Sequence, residues 1–132
     1  MNNKIYATNG DKIAKLRVQH WAPGKKFTGG CPIPTFLVNE AKRMKSKRLI
    51  YVEVTIPDQI SESAVIARAF AQHYPTKPKA LIRTVSPDKH IISAWLFCRS
   101  KDTVDIDNGI ALTISRLAVA LNKADLGWHL SL

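Results

Sequence analysis

The sequence predicts an α+β fold, a two-layer sandwich in which two helices cover one face of an antiparallel sheet. One observation is that the hydrophobic pattern along residues 49–132 alternates between a period of two and a period of 3.6, in the order strand, helix, strand, strand, helix, strand. The other is the charge distribution: residues 1–48 hold 11 Lys/Arg against 2 Asp/Glu, whereas residues 49–132 hold 9 against 8. We therefore expect residues 1–48 to be a basic addition to a body formed by residues 49–132.

The N-terminal stretch is predicted to be a β-hairpin. Residues 4–8 and 12–18 flank Asn9-Gly10, a dipeptide that favours a type I′ turn because both residues readily adopt positive φ. The hairpin has little apolar surface of its own, and isolated hairpins are marginal in water. It must therefore pack against the body or against a partner, and one alternative is that its strands extend the sheet of the body.

A basic loop and a basic helix are predicted after the hairpin. Residues 20–34 contain several Gly and Pro residues around the pair Lys25-Lys26, which indicates a loop. Thr35 is a candidate N-cap for a helix over residues 36–47, because apolar residues then recur on one side of that segment.

The body begins with the clearest strand of the chain, residues 49–56, in which β-branched residues alternate with other side chains. The further predicted elements are a helix near 61–74, strands at 79–85 and 90–99, a helix over 107–122 and a strand over 126–132. This order is that of a ferredoxin-like βαββαβ body. Eight residues are expected in its core: Val54, Ile66, Phe70, Ile82, Leu96, Ile114, Leu117 and Leu121.

Length and composition favour a single domain. The chain has 132 residues, of which 45% are hydrophobic and 23% charged, which suits one ordinary core. It shows no charged-then-apolar leader and no apolar run near 18 residues, so we expect a cytoplasmic protein without a membrane span. Cys31 and Cys98 are expected to be reduced, and no metal or cofactor is predicted, because no Cys or His lies at metal-ligand spacing. The oligomeric state is left open.

Positive charge marks the strongest candidate site. Five cations fall within residues 42–48, and a polyanion is the natural partner of such a cluster. We expect a non-enzymatic protein that binds DNA, RNA or a nucleoprotein complex through phosphate contacts, which position a protein without reading base sequence. The expected binding residues are Lys25, Lys26, Lys42, Arg43, Lys45, Lys47 and Arg48.

Aromatic side chains form a second candidate surface. If the β-branched residues of the strand 49–56 face the helices, Tyr51 lies on the other sheet face together with Trp95 and Phe97. Exposed aromatics there would stack unpaired bases, whereas the alternative is that the N-terminal region covers them. Together with Trp21 and the basic side chains they also suit an alternative function, a protein-interaction module, such as an inhibitor or adaptor, that docks on an acidic protein surface.

A metal-dependent nuclease is the second alternative. Asp102, Asp105 and Asp107 form the one carboxylate cluster of the sequence, and Asp105 with Asp107 would point the same way if the segment were extended. Carboxylates just before a helix also serve as caps and complement the helix dipole. We expect that capping role, and therefore no catalytic residues.

Overall fold

The described part of the chain folds into six strands and two helices. The computed structural model describes residues 6–24, 32–56, 80–86, 89–98, 106–124 and 127–131. The elements are β1 (Tyr6–Asn9), β2 (Lys12–Trp21), α1 (Thr35–Arg43), β3 (Arg48–Ile56), β4 (Ala80–Ser86), β5 (Lys89–Cys98), α2 (Ile106–Ala124) and β6 (His129–Ser131). Neither of these two helices has the combination of length and apolarity that crossing a bilayer requires. The helix predicted near residues 61–74 lies outside the described residues.

The strands form one antiparallel sheet in the order β4-β5-β3-β2-β1-β6, and the sheet curls into a half-barrel. The predicted ferredoxin-like sandwich is therefore wrong. A body made of residues 49–132 alone would need β6 to join β3, β4 and β5. Instead β2 pairs with the free edge of β3, from Leu16 opposite Val54 to Trp21 opposite Leu49, and β6 pairs with β1. The basic N-terminal region extends the sheet of the body, as the alternative expected.

The N-terminal hairpin forms, but its turn differs from the predicted one. Asn9 pairs with Lys12, so the two-residue loop is Gly10-Asp11 and not Asn9-Gly10. Positive φ is found at Gly10, at 60°, and not at Asp11. A loop with positive φ only at its first residue is typical of a type II′ turn, which places Gly at that position. The predicted type I′ turn at Asn9-Gly10 is therefore wrong. The turn lies one residue further along the chain and is of a different type.

One face of the sheet packs against α2. Val52 and Ile92 belong to an apolar cluster with Leu117 and Trp128, and all four side chains are fully buried. The expected core residues with described side chains are buried or, for Leu96, partly buried: Val54, Leu96, Ile114, Leu117 and Leu121. Three expected core residues have side chains outside the described part: Ile66, Phe70 and Ile82.

Gly109 sets how closely α2 approaches the sheet. A β-carbon at this position would overlap Cδ1 of Ile50 and would lie 3.7 Å from Cδ2 of Leu96. Two turns further along, Arg116 Nη1 donates a hydrogen bond of 3.0 Å to the carbonyl of Trp95 on β5. The absence of a side chain at Gly109 allows α2 to approach the sheet closely, and this hydrogen bond holds the helix there.

The opposite face packs at one end against α1. Leu37 and Ala41 of α1 form a second apolar cluster with Leu49, Tyr51 and Trp95. The two described helices therefore lie on opposite faces, not on one. The reason is the alternation of side chains on β3 and β5, because both faces of these strands carry large apolar residues at this end of the sheet.

Candidate functional site

The candidate site is built on the turn that ends α1. Lys45 N–H donates to the carbonyl of Lys42 at 3.1 Å, and Ser46 N–H donates to the carbonyl of Ala41 at 2.9 Å. These two bonds form a Schellman motif, in which the residue after the C-cap adopts a left-handed conformation. That residue is Lys45, with φ 55°, whereas Gly is the usual choice for this position.

This turn makes the helix shorter than predicted. The prediction continued the helix to Lys47, but the chain reverses at Lys45 and α1 ends at Arg43. Lys47 N–H then donates to the carbonyl of Cys98 at 3.0 Å, which fastens the turn to the end of β5. The predicted N-cap is also wrong, because Thr35 is the first helical residue and Pro34 occupies the cap without a side-chain hydrogen bond. Proline before the helix leaves Thr35 no role as cap.

An open cleft of about 560 Å³ lies beside the turn. Its walls come from the end of β2 and the residues after it, and from the end of α1 and the turn to β3. The lining residues are Trp21, Pro23, Gly24, Lys42, Lys45, Ser46 and Lys47. Three of these residues are exposed lysines, and none of the described lining residues is acidic. We call this feature the α1 cleft.

Trp21 joins the α1 cleft to the core. It is the last residue of β2, lies opposite Leu49 of β3, and packs in the cluster that contains Leu37 and Ala41. The residue is only 8% exposed. The tryptophan is therefore held by packing on one side while it lines the cleft on the other.

The seven predicted binding residues separate into four groups. Lys42, Lys45 and Lys47 meet at the α1 cleft. Arg43 instead hydrogen-bonds Glu40, with Nε 2.9 Å from Oε2 and a second bond from Nη2 to Oε1. These bonds and the charge of Glu40 raise the pKa of the Arg43 guanidinium above its usual value. The carboxylate thus offsets the charge that Arg43 offers an anion.

Arg48 is not one of the described residues that line the cleft. Arg48 begins β3 and has the same strand parity as Ile50, so it lies on the α2 face of the sheet. Lys25 and Lys26 follow directly after Gly24, which lines the cleft, but they lie outside the described residues. Their predicted role stays a prediction.

The aromatic surface is covered. Tyr51 is fully buried, Trp95 is 5% exposed and Phe97 is partly buried against the same cluster. Phe36 of α1 packs edge-on to Trp95, with ring centroids 6.2 Å apart. Of the two alternatives for this face, the open stacking platform is contradicted, because α1 occupies the place where bases would stack.

Asp107 lies in the first turn of α2, where its exposed carboxylate complements the positive end of the helix dipole. Asp102 and Asp105 lie outside the described residues, so the proposed carboxylate pair stays a prediction. Within the described ranges, no three His, Cys, Asp or Glu side chains gather as a metal site would require.

Sequence reasoning missed Ser46 as a site residue. Ser46 is 2% exposed, and its Oγ is buried without a hydrogen-bond partner among the described residues. The signal was a single small hydroxyl residue between Lys45 and Lys47. This signal did not single out Ser46, because in a helix that extends to Lys47 the residue is an ordinary position of the last turn.

The chain was also compared with known proteins. No protein-family model matches it. No curated protein and no solved structure matches it either.

Proposed function

We propose that this protein binds nucleic acid, alone or within a nucleoprotein complex, through phosphate contacts made at the α1 cleft. The observation that carries the proposal is the convergence of Lys42, Lys45 and Lys47 on one cleft whose described lining has no carboxylate. The three lysines come from a helix end, a turn and the residue before a strand. A binding role needs no catalytic group, and we propose none.

The electrostatics of the α1 cleft support an anionic ligand. Lysines near a helix C-terminus complement its dipole, which is enough to explain one or two of them on structural grounds. Lys47 lies beyond the helix, however, and Lys45 keeps a left-handed φ of 55° that a glycine would adopt at lower cost. A cation at a strained position favours a function for its charge.

The test is a salt titration of binding to DNA and RNA oligonucleotides. The affinity should fall linearly with salt on logarithmic axes, because each neutralised phosphate releases counterions. Replacing Lys42, Lys45 and Lys47 together by glutamine should lower the slope for duplex DNA by about two to three, roughly one for each lost phosphate contact.

A matched control removes the same charge from the other end of the sheet. Lys12→Gln, Lys15→Gln and Lys89→Gln lie near the starts of β2 and β5, whereas the α1 cleft lies where β2 and β5 end. Strands of ten residues place the two ends roughly 30 Å apart. The control should change the slope less than the cleft variant does. Equal slopes for the two variants would contradict a local site, and no binding at low salt would favour an acidic protein partner instead.

A further inference from the structure

The size of the α1 cleft exceeds what a phosphate group alone would fill. The cleft is an open groove of about 560 Å³, which leaves room for more than a phosphate group. The lining also contains two apolar residues, Trp21 and Pro23, beside the lysines. A site that served only to attract a phosphate backbone would not need the indole.

At the turn itself, side chains rather than backbone amides are available to an anion. The N–H groups of Lys45, Ser46 and Lys47 already donate to backbone carbonyls at 2.9 to 3.1 Å. A nest of free amides, which is a common way to bind phosphate, is therefore absent from these three residues. What the turn offers is the lysine ammonium groups and the Ser46 hydroxyl.

The Ser46 hydroxyl is the specific element of the cleft. Buried polar atoms nearly always have a hydrogen-bond partner, yet Oγ of Ser46 has none within the part of the chain that the structure describes. Because Oγ has almost no accessible surface in the structure, a phosphate oxygen reaches it only when a neighbouring side chain moves aside. That oxygen would then accept the one hydrogen bond that the hydroxyl can donate, with the strength that a charged acceptor gives.

We propose that the α1 cleft holds a single unpaired nucleotide, with its phosphate between Lys42, Lys45 and the Ser46 hydroxyl and its base against Trp21. The inference rests on the proposed function and adds its substrate class. A base inside a duplex is stacked on both sides, so it reaches an indole only when it is unpaired. The protein should therefore prefer single-stranded nucleic acid, or strand ends, to a blunt duplex.

The first test measures the affinities of wild type, Ser46→Ala and Ser115→Ala for a fluorescein-labelled single-stranded 12-mer and for the blunt duplex of the same sequence. Ser115 is an exposed residue of α2 and serves as the matched control. We expect tighter binding of the single strand by wild type. Ser46→Ala should weaken it about tenfold, as loss of a hydrogen bond to a charged group does, while Ser115→Ala leaves it unchanged.

Ser46→Ala should fold normally, because it removes a buried hydroxyl that has no described partner. A second measurement on the unmodified protein uses AMP, adenosine and inorganic phosphate as probes in NMR titrations. AMP should shift the amide signals of Lys45 and Ser46 and the indole signal of Trp21 more than either fragment does.

The two proposals fail in different ways. Equal affinity for single strand and duplex, with no effect of Ser46→Ala, would overturn the nucleotide site but leave electrostatic binding of nucleic acid intact. AMP titration without shifts at Ser46 and Trp21 would also overturn it. Absence of binding to any oligonucleotide at low salt would overturn both proposals.

Discussion

Arg17 and Glu53 lie directly opposite each other on β2 and β3, and Arg17 Nη2 donates a hydrogen bond of 2.8 Å to Glu53 Oε2. The Glu53 side chain is 3% exposed and the Arg17 side chain 45%. Glu53 lies on the face of β3 that carries Tyr51, two residues further along the strand. A buried carboxylate in a sheet is tolerated only when a cation and hydrogen bonds compensate for its lost hydration.

We expect Arg17→Met to lower the free energy of unfolding by about 2 kcal/mol, because it removes a charged donor from a buried carboxylate. Glu53→Gln should cost less, about 1 kcal/mol, since the amide oxygen still accepts and Arg17 retains access to water. Urea denaturation of both single variants and the double variant gives their interaction energy. An interaction energy near zero would contradict a stabilising pair.

Lys45→Gly should raise the free energy of unfolding by about 1 kcal/mol, because glycine adopts the left-handed conformation without the clash of a β-carbon. Lys45→Ala is the matched control, since it removes the same charge but keeps the β-carbon at φ 55°. Both variants should lose nucleic-acid affinity to a similar extent, whereas only the glycine variant gains stability. Thermal and urea unfolding measure the stabilities; equal stability of the two variants would show that Lys45 is not strained.

Gly109→Ala should destabilise the protein by about 1 kcal/mol. The gain in helix propensity is about 1 kcal/mol, but the new methyl group overlaps Cδ1 of the fully buried Ile50, and such overpacking costs about 1–3 kcal/mol. The effect should shrink or change sign in an Ile50→Val background, which lacks that carbon. A double-mutant cycle by urea denaturation tests this coupling, and additive effects would show that α2 does not depend on the close approach.

Phe36→Ala should lower the free energy of unfolding by about 1 kcal/mol, because it removes the edge-on contact with the Trp95 ring from a side chain that is itself 51% exposed. Phe36→Leu keeps apolar volume without the aromatic edge and should recover part of this loss. Urea unfolding of the two variants is the measurement. A Phe36→Ala variant as stable as wild type would show that Phe36 contributes nothing to the cover over Trp95.

The strands were predicted well because each carries its signal locally. Residues 49–56 alternate so regularly that β3 is found at Arg48–Ile56, one residue longer than predicted. β4 and β5 likewise form the predicted hairpin, with Ala80 opposite Ala94 and Ser86 opposite Lys89. A period of two identifies a strand and its two faces, however, and not its neighbour, so the position of β6 beside β1 had no local signal.

The candidate site was predicted only in part, for a related reason. The lysines at 42, 45 and 47 were predicted from charge alone, since a cluster of cations within one segment is visible in any sequence. Trp21 was joined to the basic side chains only in the protein-interaction alternative, and Ser46 was not joined to them at all, because the α1 cleft depends on a chain reversal at Lys45, a residue type that rarely adopts positive φ.

By itself the sequence determined the strands, the helix α2 and the region that carries the positive charge, because periodicity and charge are properties of consecutive residues. Only the tertiary structure decided which edge β2 takes on β3, that α1 and α2 lie on opposite faces, and that Trp21 and Ser46 line one cleft with three lysines. These outcomes depend on competition between distant segments for the same sheet edge and the same apolar face. Burial of both faces decides that competition, and no local pattern records it.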